Sequence, residues 1–291
     1  MFTECKFGMF IERKYSSWQK ACEQLAKNFS AQWAFRGVAN SKRHLESSIE
    51  RACPDSKRAE CERIIIALYD RKASSLRLDR PAPKDRLGLL AEMQHFGAPT
   101  RLLDWTKSFY VAAFFAFQNP PPPDSVWVTI WAIDLGWCKG KAIDKIKALG
   151  PAYANLTVRD DIGGEKLFES VVLQNKADFV APLVSYDVNE RLGIQQGIFL
   201  CAGNVAKSFE DNLAVFPADE VAKNCFKFSI PAECRLEVLD ELRSMNISEE
   251  TLFPGLEGFA RSLKNELFIL SKRPDILNKM QDHPDENLIY L

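Results

Sequence analysis

Three short segments set polar side chains among apolar ones, and polar groups so placed must find partners or a ligand. The first is Trp33-Ala34-Phe35-Arg36-Gly37. An arginine at a strand end beside a glycine can bring a planar five-donor fork up to a phosphate. Alone, such a residue is more often a surface or salt-bridging arginine. The second is Gln94-His95-Phe96-Gly97-Ala98-Pro99-Thr100-Arg101-Leu102-Leu103-Asp104-Trp105-Thr106. His95 has the chemistry of a proton carrier or an orienting donor. Arg101 and Asp104 can also be read as a structural pair. The third is Arg191-Leu192-Gly193-Ile194-Gln195-Gln196-Gly197-Ile198-Phe199. The amides of Gln195 and Gln196 can bind ribose hydroxyls or a carboxamide without adding charge, or can satisfy a hairpin loop.

These segments need elements to hold them. Ser16–Gln19 has capping-box spacing and opens a helix that ends near Asn28. Gln32–Arg36 is short and aromatic, and Gly37 stops it, so it reads as a strand. Arg43–Arg51 is a short helical stretch, and a longer helix runs from Pro54 to about Leu76. Leu87–Phe96 is helical and stops at Gly97 with Pro99 following. Thr100–Thr106 reads as loop or short extended chain, and Ser108–Phe117 as a helix apolar nearly all round and therefore buried. Val126–Ile133 carries the strongest strand pattern. Ile143–Leu149 is a weak helix, and Val171–Leu173, Phe179–Ala181, Gly197–Cys201 and Cys225–Ile230 are short strands. Pro231 opens a helix through Leu242, and Ser248–Glu250 caps another through about Leu270. The fold class expected is α+β, one domain with a small mixed or antiparallel sheet flanked by helices.

Composition narrows the function classes. The chain has 291 residues, 46% hydrophobic and 26% charged, with a net charge of −1. That balance excludes a general polyanion coat and a disordered acidic tail. Charge is uneven: residues 1–80 hold 16 Lys/Arg against 10 Asp/Glu, and residues 220–291 hold 9 against 13. Eight cysteines form no CxxC pair, and the three histidines, His44, His95 and His283, form no HxxxH or HExxH pair, so no metal site is expected. No signal-peptide pattern opens the chain and no apolar run approaches bilayer length, which points to a cytoplasmic protein with reduced thiols. Walker A, GxGxxG and GxSxG motifs are absent.

Taken together, Phe35-Arg36-Gly37, the Gln94–Thr106 segment, the Ala/Phe-rich helix, Gln195-Gln196-Gly197-Ile198-Phe199 and Thr251-Leu252-Phe253-Pro254-Gly255-Leu256 resemble the FRG domain, named for its Phe/Tyr-Arg-Gly motif. The resemblance covers roughly residues 30–265, leaving 1–29 as an N-terminal helical extension and 266–291 as a C-terminal tail. Val38 departs from it, since a glutamine often follows the glycine. The motif order is also remotely similar to that of ADP-ribosyltransferases, in which NAD+ lies in a cleft between two small sheets.

That second resemblance implies an ADP-ribosyltransferase-like fold and roles for named residues. Arg36, with Gly37 and Arg101, would hold the NAD+ diphosphate, and Gln94, Thr100 and Trp105 would complete the binding set. Phe96 and Tyr110 are further stacking rings. His95, Asp104, Gln195 and Gln196 would be catalytic, Asp104 as the anion beside an oxocarbenium-like transition state, with Glu190 and Glu165 behind it. The Gln-Gln pair stands where protein-arginine-modifying relatives carry Gln-x-Glu or Glu-x-Glu, which weakens an arginine acceptor. The family's neighbourhoods imply a bacterial toxin or anti-phage effector, restrained by an antitoxin, with RNA, DNA or protein as acceptor. The alternative is a nucleotide- or nucleic-acid-binding module without catalysis.

Overall fold

Alternation decides where each strand's side chains go. In the computed structural model, which describes residues 2–7, 9–29, 32–77, 82–185 and 190–273, eight strands form one mixed sheet. They are β1 (Phe2–Phe7), β2 (Phe10–Tyr15), β3 (Trp33–Val38), β4 (Leu102–Thr106), β5 (Trp127–Asp134), β6 (Val180–Leu183), β7 (Gly197–Ala202) and β8 (Cys225–Pro231). Their order is β1-β2-β8-β5-β3-β4-β7-β6. Only β2 and β8 run parallel; every other neighbouring pair is antiparallel.

The helices are α1 (Trp18–Asn28), α2 (Ser48–Ala52), α3 (Asp55–Ala73), α4 (Arg86–His95), α5 (Phe109–Phe117), α6 (Leu135–Lys147), α7 (Glu165–Leu167), α8 (Glu190–Ile194), α9 (Phe209–Ala214), α10 (Ala218–Asn224), α11 (Arg235–Ser244), α12 (Glu249–Leu252) and α13 (Leu256–Lys272). Period-two burial on β5 splits the core in two. Val128, Ile130 and Ala132 join Phe35 and the apolar helix α5 on one face. Trp131 and Ile133 join Ala34, α4, α6 and α9 on the other. The structure is thus one α+β domain, as composition and pattern imply, with a sheet larger than expected.

Local chemistry sets the elements around the second segment. Asp85 caps α4 by accepting from the Gly88 amide at 2.7 Å. Gly97 ends the helix at φ +83°, and the Ala98 amide closes back on the Met93 carbonyl at 2.8 Å. The Ser47–Glu50 capping box starts α2. Close packing places β3: a Cβ on Gly37 would lie 1.8 Å from the Ala112 carbonyl oxygen of α5. Glycine at 37 and small residues at Ala112, Ala113 and Ala116 let strand and helix backbones touch.

Several expectations are corrected. The N-terminal extension is not simply helical, because Phe2–Phe7 and Phe10–Tyr15 are strands of the same sheet, and only Trp18–Asn28 is helix. Of the two readings of Thr100–Thr106, loop or short extended chain, the second holds over Leu102–Thr106, which is β4 with its ladder completed by β7. Val171–Leu173 is not a strand, since residues Phe168–Val172 form a π-helical turn. The Arg43–Arg51 helix shrinks to Ser48–Ala52. Helix α13 crosses the expected boundary at 265, and residues 274–291, with His283, lie outside the described residues.

Candidate active site

β3 and β4 touch at a single residue pair, Phe35 opposite Thr106, whereas β3 pairs with β5 over six residues and β4 with β7 over five. The sheet therefore behaves as two half-sheets, β1-β2-β8-β5-β3 and β4-β7-β6, hinged at one point. Beyond that point the strands diverge, and the residues that would have continued the ladder, Arg36 and Gly37 facing Asp104 and Trp105, line an opening instead. Helix α4 closes one side with Gln94, His95 and Phe96, and α8 closes the other with Arg191, Leu192 and the following Gln195. The cavity is about 730 Å3, within the range of small-molecule sites.

Arg36 spans the split. It stands on the Ala34 face of β3, and its guanidinium donates to the Asp104 main-chain carbonyl across the gap. Burial pulls the guanidinium below its ordinary pKa, Asp104 opposes that, and the positive charge of Arg51 adds to it. Arg191 is treated the same way: burial pulls it down, with the Asp104 charge opposing. Its guanidinium lies 4.3 Å from the Phe253 ring centre, a cation–π contact that fixes its direction. Two desolvated cations thus share one carboxylate. The further acid of the lining, Glu92, is already engaged by Arg77 at 3.0 Å and the Tyr69 hydroxyl at 3.0 Å. A site with this imbalance favours an anionic ligand.

Asp104 is oriented by a relay. The Thr100 hydroxyl donates to the Gln94 side-chain oxygen. That fixes the amide so its nitrogen donates to the Asp104 carboxylate at 2.7 Å. Gln94 and Asp104 line the cleft, while Thr100 is fully buried beneath it and touches no cleft surface. Thr100 is therefore a support and not the binding residue expected. Trp105 forms the floor, 4% exposed, with an indole nitrogen that is buried and has no protein partner. His95 stands at the exposed rim, edge-on to Phe96 at 4.9 Å.

Arg101 is the clearest correction. It does not reach the cleft. Its side chain is 0% exposed and forms a fork with Glu62, 2.8 Å at Nε. It also donates to the Val172 carbonyl at 2.7 Å and the Asn175 side chain at 3.0 Å. Burial disfavours its charge, but Glu62 holds its pKa above the ordinary value. Arg101 and Asp104 are not a pair either.

The two amides separate. Gln195 lines the cleft, but its side-chain nitrogen donates to the Leu252 main-chain carbonyl at 2.9 Å, and its main-chain carbonyl accepts from the Thr106 hydroxyl at 2.7 Å. Gln196 adopts φ +49° and lines a neighbouring depression with Asn246 and Thr251. It does not face the cleft, because the left-handed turn sends it the other way. Tyr110 packs beside Trp18 at 6.3 Å and does not line the cleft. Glu165 and Glu190 are also absent from its lining.

Arg191 is the residue that sequence reasoning missed. It stood in the third segment, but the two amides carried the argument there. Its signal lay in Phe253, 62 positions away, which no local pattern connects to it. Among the described residues no group of three or more His, Cys, Asp or Glu is arranged to hold a metal, and no helix is long and apolar enough to cross a membrane.

The FRG-domain family model matches residues 31–125. That span carries the Arg36 and Asp104 walls of the cleft but not the wall with Arg191 and Gln195. It also stops well short of residue 265, where the sequence resemblance was expected to end. No curated protein and no solved structure matches the chain.

Proposed function

From a chain that carries an FRG domain over residues 31–125, we propose a mono-ADP-ribosyltransferase that takes NAD+ as its donor in the cleft between the half-sheets. The observation that carries this reading is the pair of arginines, Arg36 on the Asp104 main-chain carbonyl and Arg191 on the Phe253 ring, that line one cleft with Asp104. A dinucleotide has the complementary parts: a diphosphate for the two guanidinium groups and flat rings for an aromatic floor. The cavity is large enough for such a ligand to enter.

In the proposed reaction the bond between the nicotinamide ring and its ribose breaks. Nicotinamide leaves with the bonding pair, and the acceptor nucleophile takes its place and loses a proton. Asp104, aimed by Gln94, supplies negative charge next to the developing oxocarbenium. His95, which lines the rim, would receive the acceptor's proton. Arg36 leaves the Asp104 carbonyl, or shares it, to grip phosphate. The acceptor class proposed is a nucleic acid, RNA or DNA, drawn by the basic first 80 residues; a protein acceptor is the remaining option. The family resemblance supports a cytoplasmic toxin or anti-phage role with an antitoxin partner.

One observation favours the binding-only alternative. The Gln195 side-chain nitrogen is held by the Leu252 carbonyl and Gln196 lines a neighbouring depression, which weakens a catalytic role for that pair. A single assay separates the readings. Purified protein with NAD+ should release nicotinamide and label cellular RNA, DNA or protein, and Arg36→Ala should abolish both. Calorimetric binding of NAD+ with no nicotinamide released would establish the alternative. Release undiminished in Arg36→Ala would remove the cleft from the mechanism.

A further inference from the structure

Helix α13 packs Ile269 and the half-buried Phe268 inward at its C-terminal end, but along most of its length the buried residues are small or polar: Gly258, Ser262 and Asn265. The large apolar side chains Leu256, Phe259, Leu263 and Leu267 remain 81, 46, 51 and 71% exposed. They recur at i, i+3, i+7 and i+11, one stripe along the helix. A surface helix ordinarily does the reverse.

The orientation is pinned and is not a register slip. Asn265 accepts from the buried Arg235 guanidinium at 2.8 Å. A Cβ on Gly258 would lie 1.7 Å from the Phe253 carbonyl oxygen, so only glycine allows this face to approach. Glu266 pairs with Arg243 at 2.9 Å on one flank. Rolling the helix to bury its leucines would break all three contacts. Aligned exposed apolar side chains of this kind mark an interaction surface.

We propose that α13 is a self-association surface, covered by α13 of a second copy of this chain in an antiparallel, two-fold pair. Self-complementarity selects that occupant. Centred between Arg261 and Ser262, antiparallel pairing sets Leu256 against Leu267 and the small Ala260 against the large Leu263. It also brings Glu257 within a turn of Lys264 of the second copy, and the reverse, on the flank both copies share. Opposite charges on the flank of an apolar seam fix partner and direction. A two-fold contact closes on itself, so it stops at a dimer. One short helix per copy makes the pair a micromolar one.

The surface adjoins the cleft wall. Arg261 and Glu257 both act electrostatically on Arg191, and α12, which receives Gln195, leads directly into α13. The inference is independent of what the cleft binds.

Sedimentation velocity of the full chain across the micromolar range tests it. The wild type should pass from monomer to dimer and no further. Leu263→Glu should weaken the dimer by about tenfold or more, because it drives an unpaired charge into the seam. Leu267→Lys should do the same. Both positions are exposed in the single chain, so circular dichroism should stay at wild-type values, and so should Tm at concentrations where the wild type is monomeric. Lys264→Glu should weaken the dimer about two- to fivefold, and adding Glu257→Lys should restore it. A wild type that is monomeric throughout overturns the proposal, as does a Leu263→Glu dimer of unchanged strength or a charge swap that fails to restore association.

Discussion

Arg36 and Arg101 carry the same guanidinium and stand within one motif-rich region, yet their surroundings treat them oppositely. Arg101 is locked: five donors meet a carboxylate, two main-chain carbonyls and an amide oxygen, all within the core. Arg36 is exposed to a cavity, meets one main-chain carbonyl, and feels a second cation in Arg51. The first arrangement satisfies its charge, and the second leaves charge to be answered. A site for an anion is recognised by that incomplete compensation, not by the residue type.

The comparison predicts opposite phenotypes. Arg101→Ala should give the largest stability loss, about 3–5 kcal/mol, because it strands Glu62 in the core. Replacing both partners, Arg101→Met with Glu62→Leu, should recover much of it, because no charge is then buried alone. Arg36→Ala should change stability by under about 1 kcal/mol while removing anion binding. Urea denaturation of the variants, read with NAD+ titration, measures both. Comparable stability losses for Arg36→Ala and Arg101→Ala would erase the distinction between the two regions.

Gly37→Ala comes next. The added methyl meets α5 backbone, which cannot rotate away, and overpacking of this kind costs about 1–3 kcal/mol or more. It also pushes β3 off α5 and so moves Arg36. Tm and ligand binding should fall together, unlike Arg36→Ala, where only binding falls. A variant with wild-type Tm would mean that the strand–helix contact is looser than described.

Thr100→Val sharpens the comparison from beneath the cleft. It keeps the shape and removes the hydroxyl that aims Gln94. The buried Leu102 amide also loses its acceptor, so about 1–3 kcal/mol of stability should go. On the proposed function, turnover should fall several-fold with little change in NAD+ affinity, because Thr100 reaches Asp104 only through Gln94. Equal loss of affinity and turnover would place Thr100 in direct contact with ligand.

Legibility in the sequence followed locality. The helix stop at Gly97, the helix start at Ser108 and the apolar runs of α5 and β5 are decided by neighbours a few residues apart, and they read correctly. β4 read only as loop or short extended chain, because Thr100, Arg101 and Asp104 look like loop polarity when the strand is viewed alone. Its pairing with β7, nearly a hundred residues on, makes it a strand. The N-terminal hairpin gains its third partner only from β8. At the site, Arg36, Gln94, Asp104 and Trp105 were legible as a motif. Arg101 was misassigned because its partner Glu62 sits far back in the chain on α3, and Arg191 was missed because its partner Phe253 sits beyond two further strands, β7 and β8.

The smallest effect concerns pH, and it separates core from cleft again. Cys201 lies on β7 opposite Leu102, beside the Arg101–Glu62 fork. Burial pushes its thiol from an ordinary 9.0 up to about 12, Arg101 opposing and Glu62 adding. Burial raises Cys138 and Cys225 as well. A raised folded pKa means that the native state holds its proton more tightly than the unfolded chain. The resulting stability is complete below about pH 9 and is lost progressively as pH climbs from there towards 12. Each such thiol contributes at most about 1.4 kcal/mol per pH unit in that window. Unfolding free energy should therefore be flat from pH 7 to 8 as far as these groups are concerned and decline above 9. Cys201→Ala should decline less steeply, at the expense of a small loss at neutral pH from the missing sulfur. Arg36→Ala, whose site holds no buried thiol, should follow the wild-type slope. A Cys201→Ala slope equal to wild type would show that β7 admits water beside Arg101, and the contrast between a sealed core and an open cleft would fail there.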